Sequence, residues 1–322
     1  MRAATPVIAI DVGGTTARAA VVDRDELRGR VSAPTVRGGG LVYAIVRLVD
    51  EALTSAGVSR GDVRAVGLSV PGPVSVDRRR VVFTGNVGLH DIPLADRLEG
   101  QLNLPVAMDD DANCAALGEA ELGAARGASV AVLLIVGTGI GAGVVIDGAV
   151  FRGAHGAAGE VGHIVLDPAG PVCSCGDHGC FEALAAGPAL AARGRAAVDQ
   201  GLSPLLLQES QPDTACLDAS AVMAAAAAGD TGAAGAVQET GRWLGIGVAA
   251  VASAFDPDVI VLAGGLGDTA VMLDWARSGV RDHCIEPIDS LTRVERARLG
   301  DDAGLWGAAR LAYDQMALRG TA

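Results

Sequence analysis

Two segments of the chain share one pattern, a strand followed by a glycine-containing turn and a second strand. The first segment is Asp11–Asp23, with Gly13 and Gly14 in its turn, and the second is Ile135–Asp147, which repeats the period. Glycine lets a turn bring its backbone amides close to a phosphate group. Two hairpins of the same period therefore predict two duplicated lobes that close on a nucleotide in the cleft between them.

The hairpin turns differ from two common nucleotide-binding motifs. Neither is followed by a helix that opens with Gly-Lys-Ser/Thr, and neither contains the G-x-G-x-x-G turn of dinucleotide-binding proteins. In the first turn, Thr15 and Thr16 add hydroxyl groups to the glycine amides. All 25 basic residues are arginine, so phosphate binding depends on arginine, backbone amides and a metal ion.

A dense group of metal-ligating side chains lies between residues 159 and 182. Three thiols, Cys173, Cys175 and Cys180, stand too close together for ordinary core cysteines. Three cysteines and one histidine form a closed, structural zinc site, and His163 and His178 are the two candidates for the fourth ligand. The alternative interpretation is a disulfide bond or free buried thiols. Stabilising disulfides are typical of small secreted proteins, and nothing in this sequence indicates secretion.

Two carboxylates flank these ligands. Glu160 precedes His163, and Glu182 follows Cys180. A metal that fixed the ligands would also fix both acids. Because a carboxylate accepts two hydroxyl hydrogen bonds at once, acids held in this way suit a small polyhydroxylated ligand.

Three successive acids, Asp109, Asp110 and Asp111, follow a short predicted strand at Val106–Met108 and begin a predicted helix. The helix dipole and capping explain one such aspartate well and three poorly. Phosphoryl transfer requires one carboxylate that orients the nucleophilic hydroxyl. The segment is therefore a candidate for the catalytic base.

These motifs together resemble those of the ROK family (repressors, open reading frames, kinases). The segment Glu160-Val-Gly-His163 with Cys173-x-Cys175-Gly-x-x-Gly179-Cys180-x-Glu182 is similar to its sugar and zinc signature. Asp11-x-Gly-Gly-Thr15 and Gly137-Thr-Gly139-x-Gly141 resemble the two phosphate motifs of actin-like sugar kinases, and Val259–Gly265 resembles the adenosine-binding turn. The resemblance extends from Ile8 to about Ala317.

The resemblance implies an α/β protein with the two-lobed actin-like ATPase fold, a duplicated ribonuclease H-like fold with a nucleotide and sugar cleft between the lobes. We expect residues 1–112 plus 303–322 to form the smaller lobe. Residues 113–302 would form the larger lobe, which carries the zinc site. The pattern further predicts longer helices at Gly39–Ala56, Gly187–Gln200, Thr231–Phe255 and Ala303–Ala317. It predicts an irregular connection at Pro204–Ala215.

The resemblance also implies a role for each matching residue. Asp111 would be the general base. The sugar ligands would be Gly72, Asn86, Asp110, Asp111, Glu160, His163 and Glu182. ATP and Mg²⁺ would lie at Asp11, Gly13, Gly14, Thr15, Thr16, Gly137, Thr138, Gly139, Gly264 and Gly265. Structural Zn²⁺ would be bound by His163, Cys173, Cys175 and Cys180. Asp110 stands where the family usually has asparagine, and Leu89 replaces a tryptophan.

The function that the resemblance implies is an ATP-dependent hexose kinase acting on the sugar 6-hydroxyl, most similar to glucokinase. N-acetylmannosamine, N-acetylglucosamine, fructose or allose are alternative substrates, and polyphosphate is an alternative donor. A silent sugar sensor and a transcriptional repressor are the alternatives from another class. Repressors of the family carry a helix-turn-helix domain before the first phosphate motif, and only ten residues precede Asp11 here.

Charge and hydropathy limit the partners. A net charge of −13 and a pI of about 4.7 argue against a nucleic-acid surface. The longest uncharged apolar stretch, Trp243–Phe255, is shorter than the roughly 20 residues of a membrane span. No signal peptide is visible. We therefore expect a cytoplasmic protein with no membrane partner, which forms a homo-oligomer, a dimer or a tetramer.

Overall fold

The structure, a computed structural model, describes residues 5–85, 87–209 and 214–320 of the 322-residue chain. The described residues form two compact units. Unit 1 comprises residues 1–127, 143–158 and 298–322, and unit 2 comprises residues 128–142 and 159–297, in each case as far as they are described. No helix in the described part of the chain is long and apolar enough to cross a membrane.

The secondary structure alternates between strands and helices along the chain. The strands are β1 (Val7–Val12), β2 (Thr16–Asp23), β3 (Glu26–Pro34), β4 (Val66–Val70), β5 (Val81–Thr84), β6 (Leu89–Ile92), β7 (Val106–Asp110), β8 (Val130–Val136), β9 (Ile140–Ile146), β10 (Ala149–Val150), β11 (Val259–Ala263) and β12 (Arg293–Arg296). The helices are α1 (Leu41–Ala56), α2 (Leu94–Leu102), α3 (Asp111–Leu122), α4 (Phe181–Ala185), α5 (Gly187–Asp199), α6 (Pro204–Glu209), α7 (Ala219–Ala227), α8 (Thr231–Phe255), α9 (Ala270–His283), α10 (Ile288–Leu291) and α11 (Ala303–Gly320).

The main sheet of unit 1 has five strands in the order β3-β2-β1-β4-β7. β1 and β2 pair antiparallel, with Val12 opposite Ala17, so the predicted first hairpin is present. β4 and β7 join parallel on the other side of β1. The carboxyl ends of these parallel strands lie at one edge, where ligands bind in open α/β sheets.

The second sheet repeats this scheme in the order β10-β9-β8-β11-β12. β11 pairs parallel with both β8 and β12, and β10 pairs antiparallel with the end of β9. β9 begins among the residues of unit 2 and continues into residues counted in unit 1. Because both sheets have the same strand order, the structure has the duplicated ribonuclease H-like architecture of the actin-like fold, as the resemblance implied.

Helix α1 covers one face of the first sheet. Its buried side chains recur at helical spacing, and they are Leu41, Ile45, Leu48, Val49, Ala52 and Leu53. Full burial of each larger apolar side chain contributes roughly 1.5–3 kcal/mol. The helix ends at Gly57, whose φ of 67° is left-handed and whose amide donates to carbonyls of the last turn. The predicted helix and its end are confirmed.

Helices α3 and α11 pack against each other through glycines in unit 1. A Cβ on Gly118 would lie 2.3 Å from the carbonyl oxygen of Ala303, and one on Gly307 would lie 1.7 Å from that of Cys114. The two backbones are therefore in direct contact. The compact units thus differ from the lobes expected from the sequence, because residues 113–122 of α3 belong with α11 in unit 1 rather than with the zinc-bearing unit.

The helices of unit 2 agree with the sequence pattern except at one place. α8 has the bounds expected, and α5 ends one residue earlier than expected. The connection predicted from Pro204 is wrong at its start, since α6 occupies residues 204–209. Its first turn is held by Asp230, which accepts a hydrogen bond from the Leu205 amide at 3.0 Å, while Leu206 is fully buried.

The contact between α3 and α11 predicts that Gly307→Ala destabilises the protein. The added methyl group must displace a backbone carbonyl, and overpacking of this kind costs about 1–3 kcal/mol. We expect a lower Tm by circular dichroism. Gly100→Ala is the matched control, because Gly100 lies exposed in α2 with no atom within 4 Å of a Cβ, and alanine is the better helix former. Equal Tm values for the two variants would contradict the contact.

Candidate functional site

The first glycine turn, between β1 and β2, uses part of its backbone internally. The Gly13 amide donates to the Thr16 carbonyl at 3.0 Å, and the Thr35 hydroxyl donates to the Gly13 carbonyl at 2.7 Å. Among the described residues, the amides of Gly14 and Thr15 donate to no other group. Of the predicted phosphate-binding residues in this turn, these two have amides available for a ligand.

Asp11 lies at the end of β1. Its carboxylate accepts a hydrogen bond from the Ser69 hydroxyl at 2.7 Å and lies 3.7 Å from Arg18. Burial raises the pKa of Asp11, although Ser69 and Arg18 oppose this effect. A Cβ on Gly304 would lie 2.6 Å from the carboxylate, so glycine is required where the first turn of α11 meets Asp11. Gly304, which follows a pair of aspartates before α11, was not identified from the sequence.

Asp109 is the buried member of the three acids at the junction of β7 and α3. Its carboxylate forms an ion pair with Arg152, whose Nε lies 2.7 Å away. It also accepts hydrogen bonds from the Asp110 amide at 3.0 Å and the Asn113 side chain at 3.1 Å. Its role is therefore structural. Arg152 was not identified from the sequence, because nothing local connects it to a residue 43 positions earlier.

Asp110 is the N-cap of α3. Its carboxylate accepts hydrogen bonds from the backbone amide of Asn113, at 2.8 Å, and from the side chain of the same residue. This is the capping role that the helix-dipole interpretation gave to one of the three acids. The role of Asp110 as a sugar ligand stays a prediction.

Asp111 opens α3 and is exposed to solvent. One of its oxygens accepts the Ala112 amide at 2.9 Å. Although solvent reaches the side chain, desolvation by the surrounding protein atoms and the charge of Asp11 together raise the pKa of the carboxylate to about 6. A carboxylate whose pKa lies closer to neutrality is a better general base.

The predicted sugar-binding turn after β4 contains Gly72. Its φ of 83° is left-handed, and a Cβ would lie 2.5 Å from the Phe83 carbonyl oxygen. Both features require glycine whether or not a sugar binds there. Asn86, a further predicted sugar ligand, lies outside the described residues.

In unit 2, the second glycine turn repeats the arrangement of the first. The Gly137 amide donates to the Gly139 carbonyl at 2.9 Å. Across the described ranges, the amides of Thr138 and Gly139 donate to no other group. These two amides are thus the counterparts of those at Gly14 and Thr15.

Glu182 joins this turn to the cysteine-containing segment within unit 2. One carboxylate oxygen accepts the Ile140 amide at 3.0 Å, and the other accepts the Ser174 hydroxyl at 2.9 Å. A Cβ on Gly139 would lie 2.5 Å from the same carboxylate. The predicted sugar ligand Glu182 therefore also fixes the position of the glycine turn.

A cavity of about 720 Å³ opens beside the second glycine turn. This volume is within the usual range of small-molecule sites. The predicted nucleotide residues Gly137, Thr138 and Gly265 line it, and Gly264 adjoins them with a left-handed φ of 86°. The other polar groups of the lining were not identified from the sequence. They come from α5, from α7 and its N-cap, and from the segment before α9, and they are Arg195, Asp218, Ser220 and Thr269.

The four predicted zinc ligands come together in unit 2. The ligand atoms of His163, Cys173, Cys175 and Cys180 all lie within 4.8 Å of one another. Cys175 and Cys180 have their sulfur atoms 3.7 Å apart, and Cys173 Sγ lies 3.6 Å from His163 Nδ1. The alternative ligand, His178, instead has its Nδ1 3.2 Å from the Gly170 carbonyl oxygen.

The sulfur–sulfur distance of 3.7 Å and the sulfur–nitrogen distance of 3.6 Å match two edges of a zinc tetrahedron. With Zn–S of about 2.3 Å and Zn–N of about 2.0–2.1 Å, a tetrahedron has edges of about 3.8 Å between sulfurs and about 3.6 Å between sulfur and nitrogen. His163 closes a short 3-10 turn, Val161–His163, which begins after the exposed residue Glu160. A metal bound by His163 would therefore also restrict Glu160.

Comparisons of the chain with family models, with known sequences and with solved structures all found similar proteins. The ROK family model matches residues 7–315. A glucokinase of Halalkalibacterium halodurans is 34% identical over 316 residues, which cover 96% of this chain and 95% of the relative. The crystal structure of a ROK family glucokinase from Streptomyces griseus in complex with glucose and AMPPNP is 35% identical, with a TM-score of 0.80 and coverage of 96% and 99%. The xylose repressor of Bacillus subtilis is 29% identical over 271 residues, 84% of this chain and 66% of the repressor.

The raised pKa of Asp111 predicts a pH-dependent effect of Asp111→Asn on stability. Because the folded-state pKa of about 6 exceeds the ordinary value of 3.8, the folded protein binds more protons than the unfolded chain between these pH values. Stability is therefore lost as the pH rises through this window. Asp111→Asn should raise Tm at about pH 8 and have little effect near pH 4.

The control for this comparison is Asp62→Asn, which removes an exposed carboxylate elsewhere in unit 1. Thermal unfolding is followed across the pH range in buffers of constant ionic strength. A difference between wild type and Asp111→Asn that is the same at low and high pH would contradict the raised pKa.

Proposed function

The chain belongs to the ROK family, and from this premise we propose that it is an ATP-dependent hexose kinase of the glucokinase type, which phosphorylates the 6-hydroxyl of its sugar. The relatives that are kinases match it over nearly their whole length. We further propose that it acts in the cytoplasm on a small-molecule sugar and ATP. Formation of a homo-oligomer stays a prediction.

The observation that carries the proposal is the environment of Asp111. It is the one member of the three-acid junction that is exposed, with its pKa raised to about 6. As the sugar oxygen attacks the γ-phosphorus of ATP, the new O–P bond forms while the bond from phosphorus to the ADP oxygen breaks. The hydroxyl proton passes to the Asp111 carboxylate, so the nucleophile acquires negative charge only as the new bond forms.

The sugar ligands in this proposal come from both units, three of them from unit 2 and the other four from unit 1. Glu160 and His163 are exposed side chains at a turn that the metal cluster restricts. Glu182 is fixed by two hydrogen bonds and retains lone pairs for a sugar hydroxyl. From unit 1, Asp110 and Asp111 would accept hydrogen bonds from sugar hydroxyls, and Gly72 and Asn86 complete the set of predicted ligands. Glucose is the preferred substrate, and N-acetylmannosamine, N-acetylglucosamine, fructose and allose are the alternatives.

The large cavity of unit 2 supports ATP over polyphosphate as the donor. Its lining combines apolar groups such as Leu217 and Met223 with a few polar side chains, a surface suited to a nucleoside. Polyphosphate has no group that would use such a surface. The available amides at the two glycine turns would bind the phosphates.

Magnesium fits the carboxylates of unit 1. The charge of Asp11 raises the pKa of Asp111, so the two carboxylates repel each other. Asp11 would hold Mg²⁺, directly or through water, together with ATP oxygens. When bound, the ion neutralises negative charge on the phosphates.

We also propose that His163, Cys173, Cys175 and Cys180 hold a structural Zn²⁺. The match of two ligand distances to a tetrahedral site supports this assignment. Four protein ligands leave no open coordination position, so the ion would supply rigidity rather than reactivity. Through the sequence neighbours of its ligands, it would hold Glu160 and Glu182 in place.

The kinase proposal predicts ADP release that depends on both a hexose and Asp111. Purified protein with Mg-ATP is assayed over a panel of hexoses, and glucose is expected to give the highest kcat/KM. Asp111→Ala should lower kcat by about 10²–10⁴-fold, because the positioned base is lost. Calorimetry should show nearly unchanged glucose binding in this variant.

The control variant for the assay is Asp62→Ala, which should retain full activity. No turnover with any hexose in the wild-type protein would favour the alternative function, a sugar-sensing regulator of the same family. Full activity in Asp111→Ala would instead refute the role of the base while leaving the kinase intact.

The zinc proposal predicts about one bound metal ion per chain and its loss in Cys175→Ala. A structural zinc ion contributes directly to folding, so the variant should also have a lower Tm and a higher KM for the sugar. Metal content is measured by inductively coupled plasma mass spectrometry after dialysis against a weak chelator. Cys216→Ala, an exposed cysteine elsewhere in unit 2, is the control. Equal zinc in both variants would contradict the assignment.

A further inference from the structure

A smaller cavity, of about 150 Å³, lies in unit 1 and has no part in the proposed reaction. It lies between the turn Ser75–Arg80 and the segment that follows β10, and its lining includes Arg78, Asp109 and Arg152. A cavity of this size takes several water molecules or one ion of phosphate size. We call it the arginine cavity.

The turn beside the arginine cavity carries three consecutive arginines with different surroundings. Arg79 lies 2.7 Å from Glu99, and Arg80 lies 2.7 Å from Asp91. Arg78 forms no ion pair or hydrogen bond through its side chain with any residue that the structure describes, although it is half-buried. A half-buried guanidinium without a partner has lost hydration that nothing in the protein replaces.

The backbone of the turn holds Arg78 at the cavity. Its φ of 56° is left-handed, a conformation that an arginine rarely adopts. The Arg78 amide donates to the Ser75 carbonyl at 2.7 Å, and the Ser75 amide donates to the Arg80 carbonyl at 2.9 Å. A conformation that neighbouring bonds enforce in this way is typical of functional positions.

The carboxylates near Arg78 are already engaged. Asp109 accepts hydrogen bonds from Arg152 at 2.7 Å, from the Asp110 amide at 3.0 Å and from Asn113 at 3.1 Å. The next carboxylate, Asp314, accepts from Arg310 at 2.8 Å and does not line the cavity. Two guanidinium groups therefore face one saturated carboxylate, and the charge of the lining is positive.

Arg152 also has N–H donors that no described residue uses. Its Nε and one Nη donate to Asp109, and the other Nη donates to the Val150 carbonyl at 3.2 Å. A guanidinium has five N–H donors, so two remain. Both arginines line this one cavity. Burial lowers the pKa of Arg78 and the charge of Arg152 lowers it further, while the charge of Asp109 opposes this effect.

We propose that the arginine cavity binds a phosphate-sized tetrahedral oxyanion, with the guanidinium groups of Arg78 and Arg152 as its donors. Planar guanidinium forks bind phosphate oxygens in pairs, and an anion between the two would remove their repulsion. Inorganic phosphate and the phosphate group of a hexose phosphate share this chemistry. The inference depends on unit 1 alone and holds whether or not the chain is a kinase.

The test titrates inorganic phosphate into the full chain and measures binding by calorimetry and by the rise in Tm. Saturating Mg-AMPPNP and glucose are present, so that phosphate does not compete for the proposed donor site, and sodium chloride keeps the ionic strength constant. We expect wild type to bind phosphate, and Arg78→Met to bind at least about tenfold more weakly, because charge-assisted hydrogen bonds are lost. Arg78→Lys, which keeps the charge, should retain part of the affinity.

The matched control is Arg80→Met, which removes a neighbouring arginine that does not line the cavity. It should bind phosphate as wild type does. A parallel titration with a hexose 6-phosphate identifies the source, since the true ligand is the one with the higher Arg78-dependent affinity.

Stability without phosphate provides a second readout. Because Arg78 has no partner in the described chain, Arg78→Met should be at least as stable as wild type in phosphate-free buffer, and less stable than wild type once phosphate is added. Equal phosphate affinity in wild type and Arg78→Met would overturn the proposal, as would the absence of any binding to wild type.

Discussion

The buried ion pair between Asp109 and Arg152 organises the candidate catalytic region of unit 1. Breaking such a pair by removing one partner costs about 3–5 kcal/mol, because the other charge is left buried. Because Asp109 is paired with Arg152 and Asp110 caps the N-terminus of α3, Asp111 is the acid that stays open to solvent. Three adjacent aspartates thus have three different environments, set by tertiary contacts rather than by residue type.

In unit 2, Glu182 has a comparable organising role. One carboxylate holds the glycine turn at Ile140 and the cysteine-containing segment at Ser174, beside four ligand atoms that lie within 4.8 Å of one another. A rigid support of this kind is what a hydroxyl-recognising site needs, since binding energy falls when polar groups must first be ordered. The candidate nucleotide cavity and the candidate sugar ligands of this unit therefore depend on the same short contacts.

The sequence predicted the parts of the structure that depend on local rules. The helix that ends at Gly57, the long helix α8 and both glycine hairpins follow from apolar spacing and from the conformational freedom of glycine. It missed α6, because the amide of Leu205 is satisfied by Asp230, 25 residues away. The placement of α3 in unit 1 likewise depends on a glycine contact with the distant α11.

By itself, the sequence determined which residue types could carry the chemistry: three thiols with a histidine, three successive acids and two glycine turns. Spacing along the chain was enough for these, because metal ligands and turns are constrained over short distances. Only the tertiary structure decided which aspartate is open to solvent, which histidine joins the thiols, and that the Arg78 side chain has no hydrogen-bond partner among the described residues. Burial and ion pairing depend on contacts between residues far apart in the chain, and no local pattern encodes those contacts.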